Sequence, residues 1–314
     1  MNTSIQEIIY PHQFAIAAVL ITSCIGFVLN AFVIQATVRT KIFGVSFGWI
    51  CISQCLANLG QLSMFLFFIG PLAAIDMNLL KTYTGGRPGQ LLNFFWYSCI
   101  MSHLLSSLNR LICLALPLQY NQIFTKRTTT AAMLFIWIFA FVLVIPQFSA
   151  SCLMTFIESD FSFDFQDTEC GRISAQYLDF AFSVSVICAI IVVDVATSLR
   201  IVWIRKGIYN TTTRRQVKFF IQTCTEEIIL MICVLCFYKV SHYFDGHWMK
   251  FVLTTWLWIF AHTADGCVIL LFNKELRSKA VLKLLPLMKT IAINVLFLNK
   301  SNRVMDGTSS SPNR

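Results

Sequence analysis

The residues of this sequence best placed to do chemistry are ionisable side chains set inside or against long apolar runs. They are Arg110, Asp194, Glu226, Glu227 and Asp265, with His103 and His262. In hydrocarbon such groups must pair, hydrogen-bond or reach water, so they read as switch elements, relays or an ion pathway. No convincing Ser/His/Asp arrangement, HExxH or phosphate loop accompanies them, and no enzyme is expected. The histidines lack a further ligand set with recognisable spacing. The twelve cysteines are mostly dispersed through separate apolar runs. Neither a metal nor a cofactor is therefore expected. Neutral hydrogen-bonded helix contacts are the plainer reading of the two histidines, and a buried neutral carboxyl that of Glu226 or Glu227.

The elements that must position these groups are helices. Hydrophobic residues make up 57% of the chain and charged residues only 12%, whereas a soluble domain is roughly 45–50% apolar and 25% charged. Seven apolar stretches lie near residues 13–38, 47–70, 91–116, 129–151, 178–203, 217–240 and 250–272. Each is near the roughly 20 residues needed to cross a bilayer. The fold expected is an all-α membrane protein, a seven-transmembrane helix bundle. Nineteen of the 24 Lys and Arg residues fall on one set of connections and the tail. The positive-inside bias makes that side cytoplasmic, with the N-terminus outside and the C-terminus inside. The net charge of +9 thus reflects topology, and no nucleic acid is expected as a partner. Residues 1–12 read as an extracellular N-terminus, 13–277 as the seven-helix domain, 278–299 as an amphipathic interfacial eighth helix and 300–314 as a cytoplasmic tail. Asn2-Thr3-Ser4 is an outer glycosylation sequon. Residues 1–10 lack Lys and Arg, so no cleavable signal pattern is seen and the first span would insert itself.

On the outer side, Cys152 and Cys170 stand eighteen residues apart in an oxidising compartment, and a disulfide between them is expected. The same segment interleaves Glu158, Asp160, Asp164, Asp167 and Glu169 with phenylalanines. It reads as a solvated acidic loop or as a lid that screens ligands. A pocket between the outer halves of the helices would draw its walls from Trp96, Tyr97, Phe182 and Trp256, with His103 and His262 deeper. Packing is the alternative role for these aromatics.

The third span carries the most specific pattern. Asn109-Arg110, followed by Pro117-Leu118-Gln119-Tyr120, resembles the Asp-Arg-Tyr and Pro-Leu-x-Tyr words of rhodopsin-like G-protein-coupled receptors. Asn30, Ala57-Asn58-Leu59, Trp137 with Pro146, and the run from Asp265 to Arg277 are similar to that family's other landmarks, covering about residues 15–280. Ser46-Phe47-Gly48, Ser107-Leu108-Asn109-Arg110, Asp194 with Thr197, and His262 through Glu275 most resemble nematode serpentine chemoreceptors of class X. The resemblance implies a chemosensory receptor that binds an external small molecule and activates a heterotrimeric G protein at the plasma membrane, in a sensory cilium where one exists. It implies G-protein coupling by Asn109, Arg110, Pro117 and Tyr120. It also implies a polar network of Asn30, Asn58 and Asp265, either switch or static. Glu226 or Glu227 is a candidate ionic tie to Arg110 or to the basic third loop. The sequence departs from the family at Gln54, which stands where a leucine opens the second-span pattern, at Gly266 and Ile269, and in three further places that change the chemistry. Asn109 replaces the acid beside Arg110, Asn58 replaces the acid on which the family's sodium site depends, and span six lacks the Trp-x-Pro hinge. The competing readings are a channel or transporter using the buried acids, and a non-signalling membrane partner of other receptors.

Overall fold

The computed structural model describes residues 2–40, 43–205, 211–274 and 276–278. The expected interfacial helix beyond Ser278, the tail 300–314 and the side chain of Asn2 lie outside the described residues. Among those residues, seven helices are long and apolar enough to cross a membrane. They are α1 (His12–Thr40), α2 (Ser46–Ile75), α3 (Arg87–Ala115), α4 (Lys126–Phe148), α5 (Glu169–Ile204), α6 (Gln216–Tyr238) and α7 (His247–Phe272). A helix meets all its backbone hydrogen bonds within itself, which a lipid environment requires. Ile21, Val28, Leu134, Ile138, Val192 and Leu199 are exposed on the bundle surface, where lipid tails replace water at no cost. The chain is a multi-pass membrane protein. Helix α3 packs against α2, α4, α5 and α6, while α1 packs on α2 and α7. At Gly26 a Cβ would come within 2.2 Å of Thr263 Oγ1, so the absence of a side chain sets the close approach of α1 to α7.

Local chemistry sets the helix ends. Thr125 and Thr128 form a reciprocal capping box that starts α4, and a 3-10 turn over Ile145–Phe148, carrying Pro146, finishes it. Helix α5 begins well before the expected position 178. Thr168 Oγ1 accepts the N–H of Gly171 at 2.9 Å, and the adjoining Cys170 is tied to Cys152. Helix α2 continues beyond the expected 70 to Ile75. Three helices contain π-helical segments, Met64–Ile69 in α2, Ser174–Ala181 in α5 and Val252–Trp256 in α7. All three lie toward the same end of the bundle.

That end is covered by a hairpin of β1 (Met154–Ile157) and β2 (Ser162–Phe165), paired antiparallel with Met154 opposite Phe165 and Ile157 opposite Ser162. Phe161 turns the chain with φ 48°. Phe156, Phe161 and Phe163 are buried. Phe163 meets Phe65 of α2 and Phe161 meets Phe251 of α7, at ring separations of 6.5 and 5.7 Å. Thr255 Oγ1 donates to the Phe161 carbonyl at 2.8 Å. The segment thus combines an apolar plug of phenylalanines with acids at its surface, Asp167 and Glu169 being exposed. A disulfide joins Cys152 to Cys170, their Cα atoms 5.0 Å apart, and anchors the hairpin to the head of α5.

Candidate functional site

A buried polar core lies midway through the bundle. Asn58 of α2 donates from Nδ2 to Asn30 Oδ1 at 3.1 Å and to Asp265 Oδ2 at 3.0 Å. Its Oδ1 accepts from Cys99 Sγ at 3.3 Å and meets His262 Nδ1 at 2.7 Å. Asp265 Oδ2 also accepts from Gln54 Nε2 at 3.2 Å and lies 3.1 Å from His103 Nε2. All these residues are buried. The structure thus brings Asn30, Asn58 and Asp265 together and adds His103, His262 and Gln54. Gln54 stands where the resemblance has a leucine, and a glutamine in an otherwise apolar run was the signal that could have found it. Cys99, His103 and Asp265 form one compact three-donor group and Asp194, Cys224 and Glu227 another. Each pairs two donors on one helix, Cys99 with His103 and Cys224 with Glu227, and takes its third from another helix, which sequence spacing did not foreshadow.

At the opposite end from the hairpin, Arg110 is 3% exposed. Its Nη2 donates to Ser106 Oγ at 2.9 Å, and the guanidinium lies 5.3 Å from the ring centre of Phe47. Among the described residues, Nε and Nη1 have no hydrogen-bond partner. Among the described residues, no ion pair joins Arg110 to Glu226 or Glu227, so the expected tie to Arg110 is not closed in this arrangement; the alternative tie to the basic third loop falls largely on side chains outside the described residues. Each glutamate is engaged elsewhere. Glu226 accepts from Gln54 at 3.4 Å and Gln222 at 3.0 Å, and Glu227 from Ser107 at 2.6 Å. Asn109 likewise turns from the arginine and bonds the Tyr120 hydroxyl at 3.1 Å. Pro117 sits exposed in the turn that follows α3.

The residues expected to wall a pocket separate into three places. Trp96 lines a small chamber under the hairpin, together with Asn93, Asp179, Phe237, Tyr238 and Trp258. Tyr97 is wholly buried and meets Phe182 edge-on at 5.6 Å, so both pack beside that chamber. His103 and His262 belong to the polar core. Trp256 faces the α1 side instead, donating to Thr22 Oγ1 at 3.2 Å and stacking on Phe260 at 5.5 Å. Two residues along a helix turn the side chain by about 200°, so Trp258 takes the inward place. Asp179 was missed because it fell at the edge of the expected fifth span. A second cavity of about 720 Å³ lies beside the hairpin, lined by Asp164, Asp179, Phe180, Tyr238 and Lys250 among others.

The hairpin carries two perturbed acids. Burial works against ionised Asp160, but His247 at 2.7 Å and Lys250 at 3.5 Å outweigh it and hold this carboxyl below its ordinary value. Burial pushes Asp164 upward. Lys81 pairs with Glu158.

Seven helices of this arrangement, with a buried arginine at one end and a polar core between, define a rhodopsin-like seven-helix receptor fold. The crystal structure of squid rhodopsin superposes with a TM-score of 0.67 at 13% identity, covering 90% of this chain and 87% of that one. The model of the serpentine type 7TM GPCR chemoreceptor Srx family matches residues 20–273, and the chain belongs to that family. Two Caenorhabditis elegans relatives are similar along most of their length. Serpentine receptor class X 45 is 28% identical, over 85% of this chain and 81% of its own. Serpentine receptor class X-43 is 24% identical, over 87% and 88%.

Proposed function

We propose that this receptor binds an external small molecule and activates a heterotrimeric G protein, with the hairpin end outside the cell and the Arg110 end in the cytosol. The bias of nineteen among 24 basic residues supports that orientation. The plasma membrane, and the ciliary membrane of a sensory cell, are where it would act. No catalysis is assigned.

The observation that carries this reading is a hydrogen-bonded relay crossing the buried core. It starts beside the small chamber, where the Trp96 and His262 rings lie 6.0 Å apart. It runs from His262 to Asn58, Asp265, Gln54, Glu226, Gln222 and Asn273, with successive separations of 2.7, 3.0, 3.2, 3.4, 3.0 and 2.7 Å. Helices α2, α6 and α7 are joined by this one set of bonds. A ligand with a preference for one arrangement of these helices shifts the population of the other end. Arg110, buried there with two unpartnered nitrogens, is the group that an altered arrangement would release.

The test is nucleotide exchange. Receptor reconstituted in lipid nanodiscs is mixed with a panel of purified heterotrimers, and GTP-analogue uptake is compared with that of Arg110→Ala at equal receptor amount. Faster uptake with at least one heterotrimer, reduced in the variant, is expected. Uptake at the receptor-free rate with every heterotrimer, or equal rates for both proteins, would refute the proposal.

A further inference from the structure

Helix α5 carries an acid that the relay does not use. Asp179 lies in the π-helical segment Ser174–Ala181 and is 3% exposed. Among the described residues its Oδ1 makes no hydrogen bond of good geometry, and no Lys, Arg or His forms an ion pair with it. The groups facing it are the hydroxyls of Tyr97 and Tyr238, neutral donors that supply no positive charge. A π turn inserts an extra residue into a helix and re-aims the side chains near it, which is why such turns recur at functional sites. A buried carboxylate without a cation is costly, so this placement needs a reason.

The surroundings supply one. The chamber at Asp179 measures about 20 Å³, room for one small polar group. Four of its walls are aromatic, namely Trp96, Phe237, Tyr238 and Trp258. The Trp258 ring lies 6.2 Å from that of Trp96 and 5.8 Å from that of Phe237. Asn93 adds an unpartnered Nδ2. Aromatic faces around one carboxylate are the chemistry that recognises an ammonium group. The cavity of about 720 Å³ shares Met154, Asp179, Phe237 and Tyr238 as walls, and the strand residues 162–165 line it too. Its cations are already occupied. Lys250 is held by Asp160 at 3.5 Å, and Lys239 lies 5.0 Å from the centre of the Phe180 ring.

We propose that Asp179 is the counter-ion for a small organic amine, whose ammonium head sits among Trp96, Tyr238 and Trp258 and whose body fills the larger cavity beside the hairpin. This assignment rests on the reading that the protein takes a small external ligand, and it narrows that ligand to a cation.

The experiment uses the full chain in nanodiscs and follows thermal unfolding. The probes are phenethylamine and tryptamine, set against phenylethanol and 3-phenylpropionate at equal millimolar concentration. At least one ammonium compound should raise the melting temperature, while the alcohol and the carboxylate should not. Asp179→Asn should weaken that compound's apparent affinity roughly 100-fold, as loss of one partner of a buried charge pair does. Asp245→Asn, at an exposed acid that lines neither cavity, should leave affinity unchanged. Binding by no ammonium compound, equal binding of the alcohol or carboxylate, or full affinity in Asp179→Asn would overturn the assignment. The wild-type series decides the charge preference even where the variant fails to fold. Amine binding without nucleotide exchange would sink the signalling role and leave the site standing, and exchange without amine binding would do the reverse.

Discussion

Asn58→Leu is the sharpest perturbation of the polar core, because the two side chains are similar in size and the position is fully buried. The change deletes four contacts, those to Asn30, Asp265, Cys99 and His262. At about 0.6 kcal/mol per bond within a membrane bundle, the loss comes to roughly 2.4 kcal/mol. Counting orphaned groups leads to a similar figure. Asp265 Oδ2 keeps Gln54 and His103. Asn30 Oδ1 loses its partner, and His262, whose Nε2 is already unpartnered, loses its remaining ring bond. Two buried groups at about 1–3 kcal/mol each bracket the first estimate. The expected loss is therefore about 2–4 kcal/mol, read as a fall of roughly 3–6 °C in the melting temperature. Asn58→Asp is the informative companion. It keeps the shape but sets an acceptor against Asp265, so it should be equally destabilised at neutral pH. Acidification should restore it, as one carboxyl of the new pair takes up a proton and can donate again. Thermal unfolding in nanodiscs across a pH series reads both. Melting within about 1 °C of wild type for both variants would show that the core bonds confer no net stability.

Two further outcomes concern the hairpin. Replacing Cys152 and Cys170 with serine opens a loop of 18 residues, which chain entropy values at about 3 kcal/mol. Amide exchange over residues 154–165 should accelerate, while the polar core stays protected. Asp160, with its carboxyl held low by His247 and Lys250, contributes stability that is present above its unfolded value and lost as pH falls through its folded one. Acid should therefore loosen the hairpin of the wild type, and Asp160→Asn should be loose at neutral pH with little further acid response, both read by the same exchange measurement.

The seven-helix fold was legible because scarce charge leaves the spans standing out, and because Arg110 with Pro117 and Tyr120 fixes the register of the third. The contact of Asn30, Asn58 and Asp265 was foreseen only through family resemblance, since no local pattern joins residues on three helices. The sequence reading missed Gln54 and Asp179 for different physical reasons. Gln54 stands out as an amide in an apolar run, but one uncharged side chain on a helix does not reveal which neighbouring helices it will face. Asp179 falls in the first turn of the expected fifth span, where an acid reads as a solvated helix end, and the extension of α5 back to Glu169 is what sets it well inside the helix. Trp256 was named and Trp258 was not, because hydropathy does not tell which side of an apolar helix faces inward, and a π-helical turn over Val252–Trp256 shifts that phase.

The three π segments also bear on how such a receptor can change over generations. A one-residue insertion or deletion in a regular helix rotates everything beyond it by about 100° and scrambles whichever face follows. A π turn already holds one extra residue, so gain or loss there is absorbed locally. In α2, α5 and α7 the segments lie between the hairpin-end residues and the half that bears the relay or flanks Arg110. On the function proposed above, the half assigned to ligands can thus be re-phased against an unaltered half assigned to signalling, a mechanical independence that would let selection retune recognition without rebuilding transmission.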